Sequence, residues 1–136
     1  MVENLVYTLV QIAHNFGAAA VLGGAVCARW PMPATRQSGR RIARLVLAGW
    51  LIQIASGVAF GAASYLSYGR LPDIHGIAVA ALLIKIGCAI TGVVLTAIYL
   101  KREPDWADTQ RGHSWTALAL LAATALTAAA FLRWFS

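Results

Sequence analysis

A lysine and a histidine lie deep inside apolar stretches of this 136-residue sequence. Lys85 is about ten residues into the apolar segment 76–100, and His14 is at a similar depth in the segment 5–28. No Asp or Glu lies inside any apolar segment. A charged side chain at the centre of a bilayer costs about 3 kcal/mol or more, so such residues usually have a function. A buried cation and a buried imidazole without a carboxylate indicate a bound ligand that is anionic or electron-rich.

Further polar residues are predicted at the same depth. Gln11, His14 and Asn15 are spaced i, i+3 and i+4, so they share one face of the first helix. Gln53 is counted from the opposite membrane surface, because the second segment runs antiparallel to the first. At about 1.5 Å of rise per residue it reaches nearly the same level as His14. We therefore expect the three amide side chains to surround the histidine and the lysine as ligand contacts. The alternative is a hydrogen-bonded network that orients the helices and binds nothing.

A neutral imidazole at this depth is suited to axial ligation of haem b iron, which makes His14 the candidate metal ligand. Lys85 would then pair with a haem propionate or hydrogen-bond a quinone carbonyl. The alternative for Lys85 is a neutral lysine, or one whose side chain reaches toward the interface. A second axial ligand is not evident, because His75 and His113 lie near opposite ends of the helices. Candidates for it are Lys85, an open position, the His14 of a second copy, and a partner protein.

Four apolar segments must position these residues. The chain is 60% hydrophobic and 12% charged, whereas soluble domains carry about 25% charged residues. The segments 5–28, 45–66, 76–100 and 114–135 each reach about the 20 residues that cross a hydrocarbon core as a helix. Backbone groups find no water partners in lipid, which requires helices here. Because the connections are short, we predict an all-α, up-down-up-down four-helix bundle that forms the single domain 1–136.

The basic residues predict an orientation. Connections 29–44 and 101–112 hold eight of the 11 Lys and Arg residues. The positive-inside rule places both connections in the cytoplasm of a bacterial inner membrane and both termini outside. These arginines flank helices, so the net charge of +6 requires no nucleic-acid partner, and the lipid bilayer with its anionic head groups is the expected one.

The second helix carries a possible interface. Gly57 and Gly61 form a GxxxG motif, whose simplest interpretation is close packing between helices. Trp50 lies deeper than the other tryptophans, which cluster near helix ends, and we expect its ring to pack inside. We also predict that the side of this helix near Trp50 and the GxxxG is exposed. Such a surface favours assembly into a homo-oligomer or a larger membrane complex.

Two motifs resemble a known group of membrane proteins. The first helix reads HNFGAAAVLGG from His14 to Gly24, and the third reads LLIK up to Lys85 before an apolar run that ends in KREP. These motifs resemble the small membrane proteins related to copper-resistance protein D and the four-helix bacterial protoporphyrinogen oxidase of the HemJ type. The resemblance implies that His14 and Lys85 match the histidine and lysine of those families. It implies haem b binding for the oxidase branch and copper handling for the resistance branch.

The sequence thus predicts an integral membrane protein that binds haem b for electron transfer or a haem-linked oxidation. It would contact quinone or serve as a subunit of a larger complex, and as an enzyme it would be an oxidoreductase. A transporter for copper or another small solute is one alternative, although the two Met and two Cys residues form no cluster of the kind that copper favours. A structural anchor or assembly subunit is the other.

Overall fold

The computed structural model describes residues 2–30, 33–69 and 74–135. Four α-helices account for nearly all of this part of the chain: α1 (Val2–Arg29), α2 (Arg36–Tyr68), α3 (Ile77–Arg102) and α4 (Asp108–Phe135), with a short 3-10 turn, Glu103–Asp105, between the last two. Each helix is long and apolar enough to cross a membrane. The predicted all-α fold with four membrane-length helices is confirmed.

The helices pack in a ring. Each one contacts the next along the chain, and α4 also packs against α1. The buried core is rich in alanine and contains few large side chains, chiefly Trp50, Tyr99, Trp115 and Leu118. In lipid, no hydrophobic force drives helices together, so their association depends on close packing. Small residues allow the helix backbones to approach that closely.

Two helices begin a turn or more before their apolar segments. The helix α2 starts at Arg36 rather than at residue 45, and α4 starts at Asp108 rather than at residue 114. The Thr35 hydroxyl caps α2 by accepting a hydrogen bond from the Ser38 amide at 3.3 Å. Hydropathy marks where lipid contact begins, whereas caps and ion pairs decide where a helix begins. Most of the predicted connection 29–44 is therefore helical.

A buried carboxylate joins the helices at this end of the bundle. Glu103 is 1% exposed. Its carboxylate lies 3.4 Å from Arg40, 3.6 Å from Arg36 and 4.0 Å from Arg111. The Arg36 guanidinium also donates to the carbonyl oxygen of Pro104 at 2.8 Å. Residues from the start of α2, the end of α3 and the start of α4 thus share one charge cluster, which fixes three helix ends.

We expect Glu103→Gln to lower the free energy of unfolding by about 2 kcal/mol, the typical value of hydrogen bonds to a charged group. The amide keeps the shape of the side chain but removes the charge that the three arginines share. Chemical unfolding of the detergent-solubilised protein measures the change. Asp105→Asn is the matched control, because Asp105 is exposed and forms no ion pair with a described residue. Equal losses in the two variants would contradict a specific role for Glu103.

Trp50 lies inside the bundle against α3. Its side chain is 1% exposed, so its burial is confirmed, and the prediction of an exposed helix side around it is wrong. A Cβ atom added at Gly92 would come within 3 Å of three atoms of the Trp50 ring. The indole therefore fits against the α3 backbone only because residue 92 is glycine.

At the other end of the bundle, α1 and α2 are packed loosely. None of the described side chains in residues 4–16 of α1 or 57–69 of α2 is buried. The buried core instead begins at Val21 in α1 and ends at Ser56 in α2. The polar residues predicted from the sequence lie where the packed core meets this open end.

Candidate functional site

His14 and Lys85 contact each other directly. The Lys85 Nζ atom lies 3.0 Å from His14 Nε2, so the contact joins α1 and α3, which lie diagonally across the ring of helices. Both side chains are half-buried. Within residues 4–30, 33–67 and 74–135, whose side chains the structure describes, the carboxylates are Glu103, Asp105 and Asp108. All three are at the far end of α3 and the start of α4. The cation and the imidazole, predicted at one depth, thus form a pair.

Hydrogen-bond direction fixes the tautomer of His14. Its Nδ1 atom lies 2.6 Å from the Ser56 hydroxyl oxygen. That hydroxyl donates its single hydrogen to the carbonyl oxygen of Ile52 at 2.6 Å, so it must accept from Nδ1–H. A neutral imidazole with a proton on Nδ1 has its lone pair on Nε2, where Lys85 donates. Ser56 therefore holds the ring with Nε2 directed away from α2.

The predicted amide contacts behave in two ways. Gln53 donates from Nε2 to the backbone carbonyl oxygen of His14 at 2.5 Å, so it fixes the backbone under the histidine. Gln11 and Asn15 are exposed and hydrogen-bond each other at 2.8 Å. They share a helix face with His14 in sequence, but the two amides lie on its outer edge, away from α2 and α3.

Three residues outside the predicted ligand contacts line the site. Ser56 follows Gln53 by three positions, and this spacing predicts that both lie on one face of α2. The Phe60 ring meets the His14 ring edge-on, with centroids 5.7 Å apart, and Tyr7 stacks on Phe60 at 6.3 Å. An aromatic wall thus bounds the site on the side of the loosely packed end.

Open space lies at Gly57 of α2, near the level of Lys85. Gly57 follows Trp50 by seven residues and Lys85 precedes Gly92 by seven, so all four lie on the faces through which α2 and α3 meet. At Trp50 and Gly92 the helices are in tight contact. Two turns further on, a Cβ added at Gly57 would meet no atom of another helix within 4 Å, and the same is true of Gly61. The GxxxG therefore does not pack closely against the other described helices.

No protein-family model, curated protein or solved structure matches this chain. Within the part of the chain that the structure describes, no group of three or more His, Cys, Asp or Glu residues could hold a metal ion. The site therefore offers one imidazole nitrogen, one ammonium and an aromatic wall beside an open space.

Proposed function

We propose that this protein binds haem b at the His14–Lys85 site and serves electron transfer or a haem-linked oxidation in a membrane. The Nε2 atom of His14 would hold the iron, and Lys85 would turn from Nε2 to an anionic haem propionate. Haem b, when bound, supplies one-electron chemistry at its iron. The observation that carries the proposal is the Ser56–His14 hydrogen bond, which directs Nε2 toward Lys85, so that its lone pair would be free for the iron once Lys85 turns away.

The donor set fits a porphyrin-bound iron better than a bare ion. Protein sites for Zn²⁺ or copper use three or more protein ligands, and the described residues provide no such group. A single histidine is enough to hold haem iron. Metal-ligating histidines almost always donate their other ring N–H to a fixed acceptor, and Ser56 is in that position. Gly57 and Gly61 add no side chain to this part of α2, which would leave room for a bulky ring near the site.

Lys85 also suits a quinone. An ammonium group has three donor hydrogens, and one of them is directed at His14. The half-buried amine keeps donors for a quinone carbonyl oxygen on the side facing the open space. The Phe60 ring beside His14 offers a planar apolar surface for such a ligand. Quinone is therefore the proposed electron partner at the same site.

The proposed setting is the inner membrane of a bacterium. Four membrane-length helices joined by short connections would cross it up-down-up-down, with both termini outside. The arginines and lysines of 29–44 and 101–112 would face the cytoplasm by the positive-inside rule. A second copy of the chain or a larger membrane complex is the proposed protein partner.

The test is a visible spectrum of detergent-purified protein expressed with ample haem, recorded as the dithionite-reduced form minus the oxidised form. A b-type signal in stoichiometric amount is the expected result. Absence of the signal would overturn the proposal. Metal- or solute-dependent flux in liposomes would then favour a transporter, and co-purification with a larger enzyme would favour a structural anchor.

Replacing Ser56 by alanine should speed haem loss by about 10-fold or more, because partners that orient a metal-ligating histidine typically contribute 10–100-fold in affinity. The variant removes the only described acceptor for Nδ1–H and frees the ring to rotate. The measurement is the rate of haem transfer to a soluble haem-binding protein. Ser114→Ala is the matched control, since Ser114 also donates to a carbonyl oxygen four residues back but lies at the other end of the bundle. A similar rate in both variants would mean that Ser56 does not position His14.

A further inference from the structure

An apolar groove runs along the outer surface of the bundle between α1 and α2. It encloses about 530 Å³. Its floor consists of small residues, among them Gly23, Gly24 and Ala48, and larger side chains such as Phe16 and Leu45 form its walls. Phe16 is 74% exposed, so the groove opens to the surroundings of the bundle and lies apart from the His14–Lys85 site.

The groove has the length of one membrane leaflet. It extends along α1 from Phe16 to Cys27, a rise of about 16 Å at about 1.5 Å per residue. Half of a hydrocarbon core of about 30 Å is about 15 Å. A single acyl chain that entered from one membrane surface would therefore reach the inner end of the groove near mid-membrane.

An arginine stands at one end of the groove. Arg41 precedes Leu45 by four residues and Ala48 by seven, so it continues the groove-lining face of α2. Arg36 and Arg40 pair with Glu103. In contrast, Arg41 and Arg44 are exposed and form no ion pair with any described residue. The apolar groove thus ends at cations whose charge nothing in the described chain neutralises.

We propose that the groove binds an anionic phospholipid, with one acyl chain along α1 and α2 and the phosphate on Arg41. Basic pockets beside membrane helices recognise anionic head groups in this way. A second copy of the chain fits the groove less well. In a two-fold symmetric contact the same patch meets itself, and the free arginines of both copies would then face each other. An anionic phospholipid would cover the apolar groove with its acyl chain and neutralise the cations with its phosphate.

Native mass spectrometry of the detergent-solubilised protein, titrated with phosphatidylglycerol or phosphatidylcholine, tests this proposal. We expect tighter binding of phosphatidylglycerol and a loss of about five-fold in its affinity for Arg41→Gln, the contribution of one arginine near an anionic surface. Arg102→Gln is the matched control, because Arg102 is exposed at the same end of the bundle but outside the groove. Equal binding of the two lipids, or equal losses in the two variants, overturns the proposal.

A second pair of variants tests the groove itself. A side chain at Gly23 would enter the groove, and a Cβ there meets no atom within 4 Å, so we expect Gly23→Leu to fold. Gly87→Leu, equally open but on α3, is the control. We expect Gly23→Leu to weaken phosphatidylglycerol binding and Gly87→Leu to leave it unchanged. A dimer that Gly23→Leu dissociates, with no change in lipid affinity, would instead assign the groove to a second copy of the chain.

Discussion

Replacing His14 by alanine should remove the b-type absorbance from the purified protein, whereas replacing His113 should leave it intact. His14 is the histidine whose Nε2 lone pair is held beside an open space, through Ser56 on one ring nitrogen and Lys85 at the other. His113 is exposed near the start of α4. Both variants delete an imidazole. A difference in absorbance between them therefore shows that the position of His14 matters, and not merely the loss of a histidine.

The haem content per protein, from the reduced-minus-oxidised spectrum, measures this effect. Alanine leaves a gap the size of an imidazole ring between Ser56 and Lys85, so added imidazole should restore part of the signal to His14→Ala. That rescue separates a lost ligand from a misfolded variant. Full absorbance in His14→Ala would rule out ligation by His14, and its loss in His113→Ala would indicate that the signal depends on the fold as a whole.

The meeting of His14 with Lys85 could be predicted from the sequence because depth and helix face are both periodic. Counting residues from the ends of two apolar segments places the two at one level, and polar side chains in lipid turn toward the interior. The rotation of each helix is less well determined, because residues three and four apart cover a wide arc of its surface. Gln11 and Asn15 lie on the outer edge of that arc, where Gln11 donates a hydrogen bond to Asn15.

Other features depend on contacts that a single sequence does not encode locally. Gln53 is at the predicted level, but its partner is the backbone oxygen of His14, an acceptor with no sequence signature. The close approach of α2 and α3 at Trp50 requires Gly92, a glycine on the facing helix. The early start of α2 likewise depends on Glu103, more than sixty positions further along the chain.

The contact between Trp50 and Gly92 should make two glycines of α3 respond to alanine with opposite signs. In a helix, alanine is more favourable than glycine by about 1 kcal/mol. At Gly87 a new Cβ meets no atom within 4 Å, so Gly87→Ala should be neutral or stabilising. At Gly92 the new Cβ would meet the Trp50 ring within 3 Å, and overpacking of this kind costs about 1–3 kcal/mol. The ring is 1% exposed and has no free space into which to move.

We therefore expect Gly92→Ala to lower the free energy of unfolding by about 2 kcal/mol, measured by chemical unfolding in detergent beside Gly87→Ala. Haem retention should fall with it, because Lys85 lies two turns from Gly92 on the same face of α3 and a displaced helix carries the amine away from His14. Trp50→Phe in the Gly92→Ala background should recover stability, since the smaller ring leaves space for the added methyl group. If Gly92→Ala were as stable as Gly87→Ala, the helices could not be in contact at Trp50.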